Sequence, residues 1–285
     1  MTKVVVVTRT KDRLGMLQRA LVSVKDQTFD DYVQVVFNNG GDKGSVEDVA
    51  HGFERVRVIY SDRLLPRGAA LNRVISEADA EYVAILDDDD TWHPDFLKRV
   101  VEHLEGTGAN GVVVRIDKVI ERVGADGITT IGAEPWMTDL KVVSLYQQCI
   151  DNQLASVGFV YRKTAYEEIG GYDETLNILE DYEFGLRFLM KYDVDFLDPG
   201  FALANYHHRK VRKGEMADNS FARDDHRQNF YKIANRHLRQ ELAEGRLGVG
   251  YIMSKLKYDQ SYMARVAKRV MPKSVANALK RRIQD

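Results

Sequence analysis

Cysteine is almost missing from this chain. Its 285 residues hold one, Cys149. That excludes an internal disulfide framework and a cysteine-built zinc site, and makes a reducing cytoplasm the simplest compartment. No run of about 18 apolar residues exists, so no membrane-spanning helix is expected. The N-terminal MTKVVVV has too short an apolar run for a signal peptide and reads as a strand that starts at once. Charge of one sign is also lacking. The 41 Lys and Arg nearly cancel the 43 Asp and Glu, for a net of -2, which argues against a general nucleic-acid binder. Internal repeats and low-complexity segments are absent. What remains is 44% hydrophobic, enough for a sizeable core. The length suits one large α/β domain, or a domain with appendages. The small net charge is unevenly spread. Residues 251–285 hold nine Lys or Arg against two Asp, a surplus of seven positive charges, and leave the body at -9.

The run KVVVVT (3–8) is β-branched without alternation, the pattern of a strand buried on both faces of a parallel sheet. VQVVF (33–37), VRVIY (56–60) and YVAIL (82–86) are three further strands. Leu14, Leu17, Leu21 and Val24 recur at helical spacing, and residues 69–78 read as a helix. Strands alternating with helices imply βαβ units and a parallel sheet. Ligands bind such sheets beyond the carboxyl ends of the strands. Thr8–Arg9, Asn38–Asn39 and Asp87–Asp90 all fall at such ends, so three segments converge on one edge.

Downstream, Pro94 suits the first turn of a helix over 94–105, capped by Thr91 or His93. Two runs flanking ADG predict a hairpin. Residues 154–162 and 201–206 read as strands, and 180–192 as a helix with Phe184, Phe188 and Leu189 on its apolar face. Residues 209–219 are polar, and the chain reads as helical from about 220 to its end, apart from GRLGVG and Pro272.

The run Asp87, Asp88, Asp89, Asp90 is the first chemical signal. Four adjacent carboxylates repel, so a cation or open solvent must offset them. A solvated turn that caps the next helix is the bland explanation. A calcium EF-hand is excluded, because Trp92 stands at its position 6 and Lys98 at position 12.

Taken together, the buried N-terminal strand, the polar loop after the second strand, LDDDD after the fourth and the later LED (179–181) resemble family 2 glycosyltransferases of the GT-A fold. The resemblance covers about residues 3–210. It implies transfer of a sugar from a nucleotide-sugar to an acceptor hydroxyl with inversion, with Mg²⁺ or Mn²⁺. Asp87 and Asp89 match the two acids of the family's Asp-x-Asp motif, and Asp90 is a common third. By resemblance Asp89 binds the metal, and Asp88 or Asp87 faces the ribose or the metal's waters. Thr8 and Arg9 match the first nucleotide-contacting segment; Arg9 reads equally as a surface cation near Asp12. Asn38 and Asn39 stand where the family has base-reading Asp residues, which leaves the base open; Asn39 is the functional choice. Leu71 replaces a family Arg in LPRGAALN, so a diphosphate contact is either missing or supplied by Arg67, and Asn72 is kept.

Asp181 matches the family's catalytic base, and Glu180 is expected to point elsewhere and tether the loop. Of YHHR (206–209), at most one His serves as a metal ligand, because adjacent strand residues face opposite ways; His208 is the choice. Trp92 and Trp136 are sugar-stacking or packing residues.

The reading is a GT-A type, mostly parallel α/β sheet with flanking helices and a helical C-terminal extension. Residues 1–210 form the transferase domain (nucleotide-sugar half about 1–95, acceptor half about 96–210) and 211–285 the extension. The activity is that of a hexosyl- or deoxyhexosyltransferase using a nucleotide-sugar donor and a glycan or lipid-linked glycan acceptor in surface polysaccharide synthesis. The enzyme is placed in the cytoplasm, with peripheral contact between 251–285 and anionic lipid set against packing of that segment on the acidic body. A homo-oligomer is left open. The rivals are a non-catalytic GT-A-like binding subunit and a sugar nucleotidyltransferase, although the latter's Gly-rich phosphate loop is missing from TRTKDR.

Overall fold

The computed structural model describes residues 1–124, 127–138, 140–209 and 223–253. Along the chain, β1 (Thr2–Thr10), α1 (Leu14–Lys25), β2 (Tyr32–Asn39), α2 (Lys43–Ala50), β3 (Val56–Ser61), α3 (Arg67–Glu77) and β4 (Ala80–Ile85) form three βαβ crossovers. There follow β5 (Thr91–Trp92), α4 (Phe96–Thr107), β6 (Gly111–Val114), β7 (Ile116–Gly124), β8 (Gly127–Pro135) and α5 (Leu145–Gln148). The last elements are β9 (Phe159–Arg162), α6 (Lys163–Glu168), α7 (Glu180–Leu189), β10 (Asp195–Leu197), β11 (Ala204–Arg209) and α8 (Arg223–Ala243).

The main sheet runs β10-β6-β9-β4-β1-β2-β3. All its pairings are parallel except the two made by β9. The valines of β1 show why it sits at the centre. All four are fully buried, and alternate residues face opposite sides. Val4 and Val6 pack with Ala20 and Val24 of α1 and Phe96 to Leu104 of α4. Val5 and Val7 pack with Ala70 to Ile75 of α3 and with Phe184 and Phe188 of α7. Each buried Val contributes about 1.5–3 kcal/mol of transfer energy. A smaller sheet, β5-β11-β7-β8, stands beside the carboxyl edge. Its β11 pairs parallel with β7 and antiparallel with β5.

Several expectations shift. Helix α4 starts at Phe96, and its N-cap is Asp95, without a side-chain cap bond. Thr91 lies in β5 instead, drawn there by pairing with Asn205. The 154–162 run is a strand only from Phe159, because residues 156–158 form a short helical turn. The late strand covers 204–209, not 201–206, held by its register with β7. The two runs expected to form a hairpin pair antiparallel, β7 against β8; Ala125 and Asp126 lie outside the described residues. Of the polar segment, only Arg209 is described. Helix α8 and a helical stretch over 249–253 are described C-terminal to it; the basic run after Met253 lies outside the described residues. Phe230, Ile233 and Ala234 of α8 pack on Tyr182 and Leu186 of α7. Among the described residues no helix is long and apolar enough to cross a membrane.

Candidate active site

The carboxyl ends of β1, β2 and β4 lie side by side, as the strand order requires. Beyond β4 the chain turns tightly, with the Asp90 N–H donating to the Asp87 carbonyl at 3.1 Å. This turn lodges the Asp run between the main sheet and the small one. The repulsion among its carboxylates is offset by guanidinium groups from three other segments.

Arg9, at the end of β1, is buried rather than a surface cation. Its Nε and Nη2 donate to both oxygens of Asp87, at 2.9 and 2.8 Å. Its Nη1 donates to Glu180 Oε1 at 2.9 Å. Asp88 is fully buried; it accepts from Thr10 Oγ1 at 2.7 Å and from Arg13 Nε at 3.1 Å, and Arg13 Nη2 pairs with its other oxygen. Asp89 Oδ2 accepts from Arg209 Nη2 at 2.8 Å and from Arg13 Nη1 at 3.2 Å. Arg19 of α1 donates to the Asp89 carbonyl at 2.6 Å. Asp90 Oδ1 accepts from the His207 N–H at 2.9 Å.

These surroundings split the four acids. Burial alone would raise Asp87, but the Arg9 charge and hydrogen bonds outweigh it, and its pKa is lowered. Burial pushes Asp88 up to about 7, against the pull of Arg13. Burial and the Asp89 charge push Asp90 well above the ordinary carboxylate range.

Helix α7 brings the second set of acids. Its N-cap, Leu179, has φ 65°, in the left-handed region, where a Leu stores strain. Glu180, expected to point elsewhere and tether the loop, instead meets Arg9, so one guanidinium joins the Asp run to α7. Its other oxygen, Oε2, is buried with no hydrogen-bond partner among the described residues. Asp181 is partly exposed. Its Oδ1 accepts from the Tyr182 N–H at 2.8 Å, and its Oδ2 from Asn152 Nδ2 at 2.8 Å. Burial first, and the Glu180 charge second, push the Asp181 carboxyl up to about 6. Arg67, in the first turn of α3, is close enough for its charge to act on both Asp87 and Asp181. The structure thus brings Arg9, Arg67, Asp87, Asp88, Asp89, Asp90, Glu180 and Asp181 to one edge.

The remaining candidates are spent on the walls around that edge. Thr8 is fully buried and its Oγ1 accepts from Gln34 Nε2 at 2.9 Å. Asn39 makes a two-bond pair with the Leu65 backbone, accepting at 2.8 Å and donating at 2.9 Å. Asn38 closes the 38–42 turn on Gly41 and Asp42. Asn72 braces α3 against the 166–174 segment through Tyr166, Tyr172 and Glu174. Trp92 is buried, stacked 4.1 Å from Phe96 and bonded to the Val157 carbonyl. Trp136 meets Tyr206 edge-on at 5.0 Å. His207 faces inward, to Glu121 and Thr91, while His208 is half-buried with its ring 6.4 Å from Tyr206.

Sequence reasoning missed Thr10, Arg13, Arg19, Glu121, Asn152 and Arg209. The spacing of Arg13 from the β1 end was a usable signal. Glu121 and Arg209 carried none, since their meeting depends on β7 pairing with β11.

Asp89 shows what a cation would find. Its Oδ1 accepts no hydrogen bond among the described residues, and its side chain is 12% exposed. Among the described residues no three His, Cys, Asp or Glu side chains cluster to hold a metal. This donor set fits a hard divalent ion held by one carboxylate and completed by phosphate oxygens and water, not an all-protein cage.

Residues 4–170 match Glycosyl transferase family 2. The succinoglycan biosynthesis protein ExoO of Rhizobium meliloti is 33% identical over 137 residues, 45% of this chain and 38% of that protein. The amylovoran biosynthesis glycosyltransferase AmsB of Erwinia amylovora is 27% identical over 162 residues, 54% of this chain and 50% of that protein. The matched region is thus half or less of either relative. The S. aureus TarS 1–349 structure in complex with UDP-GlcNAc superposes with a TM-score of 0.61 at 17% identity, over 81% of this chain and 64% of that one. That likeness carries the fold, a mostly parallel GT-A type sheet with flanking helices. With more than half of its residues matched to the family, the chain belongs to glycosyl transferase family 2 and has relatives in polysaccharide biosynthesis.

Proposed function

We propose that the chain moves a sugar from a nucleoside-diphosphate-sugar to an acceptor hydroxyl, inverting the anomeric centre, with Asp181 as general base and Mg²⁺ or Mn²⁺ at Asp89. The observation that carries this is the Asp87–Arg9–Glu180 bridge. It ties the strand-end acids to the helix that carries Asp181, so leaving-group and base chemistry share one rigid frame. The TarS complexes with UDP-GlcNAc and UDP support the donor class.

In this reading Asp181 takes the acceptor's proton as its oxygen attacks the anomeric carbon. The bond from that carbon to the diphosphate breaks on the opposite side. A carboxyl near 6 is mostly ionised at neutral pH yet basic enough to accept a proton. Asn152 holds it in one orientation. Arg67 and Arg9 line the donor side with positive charge, and Asp87, 28% exposed in its side chain, faces the ribose. Thr8, Asn39, Asn72 and Asp88 brace the pocket walls, and His208 is assigned as a further metal ligand. A bound divalent ion would supply positive charge to the departing diphosphate.

Residues 1–210 are the catalytic domain in this reading, and 211–285 an extension. The relatives' names support a surface glycan acceptor. The basic tail would hold the enzyme at the cytoplasmic face of a membrane, near a lipid-linked acceptor. Transfer or hydrolysis of UDP-, dTDP- and GDP-sugars with and without Mn²⁺ tests the reading. Asp181→Asn keeps shape and removes basicity. It should cut turnover roughly 10²–10⁴-fold while nucleotide binding stays near wild type. Normal turnover in that variant removes the base. Nucleotide binding by wild type with no turnover of any donor would favour the binding-subunit reading.

A further inference from the structure

We propose that Glu121 is a positioning residue for the Asp89 carboxylate and acts through Arg209; this rests on the metal reading above. Glu121 lies on β7 and Arg209 on β11, where the two are register partners. Arg209 is fully buried and its guanidinium forks. Nη1 donates to Glu121 Oε2 at 2.9 Å, and Nη2 donates to Asp89 Oδ2 at 2.8 Å.

The other Glu121 oxygen, Oε1, accepts from His207 Nδ1 at 2.7 Å and from Arg19 Nη1 at 2.5 Å. His207 Nε2 lies 2.8 Å from Thr91 Oγ1, and its main-chain N–H holds Asp90. Arg19 reaches past Glu121 to the Asp89 carbonyl. Every partner of Glu121 therefore also grips the turn that bears Asp89, or the residue next to it.

Two consequences follow from this geometry. Asp89 is held at its carbonyl and at Oδ2, so the direction of Oδ1 is fixed before any ion arrives. Glu121 also neutralises Arg209 and Arg19. Without its charge both guanidiniums would be less fully balanced, and they would compete more strongly with a cation at Asp89. Groups that orient a metal-binding carboxylate in this way are typically worth roughly 10–100-fold in metal affinity.

Mn²⁺ binding, followed by the loss of the free-ion EPR signal, tests the assignment without any turnover. The probe is Mn²⁺ with UDP, dTDP, GDP or CDP, whichever wild type holds best. Glu121→Gln keeps shape and removes charge, and should weaken Mn²⁺ roughly 10–100-fold. Arg209→Lys keeps charge but cannot fork, and should weaken it as well. Arg209→Met separates positioning from simple electrostatics. Removing a cation beside the site would tighten Mn²⁺ if charge alone mattered, whereas loss of the brace weakens it.

Metal-free circular dichroism and melting report whether each variant is folded. If Glu121→Gln does not fold, the two Arg209 variants decide. Mn²⁺ held as tightly as in wild type by folded Glu121→Gln or Arg209→Lys, or more tightly by folded Arg209→Met, overturns the proposal. Wild type that holds no Mn²⁺ with any of the four nucleotides removes the metal reading itself, and this proposal with it.

Discussion

Glu180→Gln should lower the pKa of its neighbour Asp181 while loosening the frame that holds it. Like charges about 6 Å apart repel by about 3 kcal/mol at an effective dielectric of about 20. Arg9, bound to the Glu180 side, cancels part of this, so about half remains. One pH unit corresponds to about 1.4 kcal/mol. The Asp181 titration should therefore fall from about 6 by about one pH unit. Burial, the larger cause, is untouched and keeps it above the ordinary value.

Stability moves in the opposite sense. Glu180→Gln gives up a charge-assisted hydrogen bond from Arg9, which costs about 1.5–3 kcal/mol. Folding raises the Asp181 carboxyl, so its stabilising contribution is complete below an unfolded pKa of about 3.9 and lost as pH rises through about 6. The variant relieves part of that loss, and only where Asp181 is ionised. Its deficit in urea unfolding should thus be larger at pH 5 than at pH 8. Carboxyl-detected NMR titration, assigned with Asp181→Asn, reads the pKa directly and needs no substrate. An Asp181 titration that stays put or rises in Glu180→Gln would refute the coupling.

Asp89→Ala should abolish the metal-dependent part of nucleoside-diphosphate binding, measured by calorimetry with Mn²⁺ and again in chelator; unchanged binding sinks the assignment. Gly68→Ala should cost about 1–3 kcal/mol, because its Cβ would stand 2.7 Å from the Asp173 carbonyl oxygen, and backbone cannot yield as a side chain does. A melting temperature equal to wild type would mean that α3 shifts freely. A chain ending at Gly250 should lose co-sedimentation with anionic liposomes that the full chain shows; equal pelleting removes the membrane contact.

The parallel sheet was legible because residues 4–7 and 82–86 are unbroken apolar runs, and burial on both faces requires such runs. The convergence of Arg9, Asn39 and the Asp run followed from their place at the carboxyl ends of parallel strands. Asp181 at a helix start was visible as a motif. What lay beyond reach was long-range. Arg209 and Glu121 are 88 residues apart, and local periodicity says nothing of how β11 finds β7. Asn38 and Asn39 were ambiguous for a different reason. Their amides suit a ligand and a turn equally well, and here both close on backbone.

The left-handed Leu179 has a consequence for protein engineering. Its backbone conformation favours glycine, but its side chain packs against the Tyr182, Leu186 and Phe230 cluster. Contact holds in place what local preference opposes, a balance typical of residues beside functional groups. Leu179→Gly would remove about 1–2 kcal/mol of strain and surrender a contact of similar size. A screen for thermostability would therefore read the site as nearly silent. The exchange would still free the first turn of α7 to rock, and with it the aim of Asp181. Directed evolution that selects only for heat resistance could drift through this position and erode turnover unnoticed.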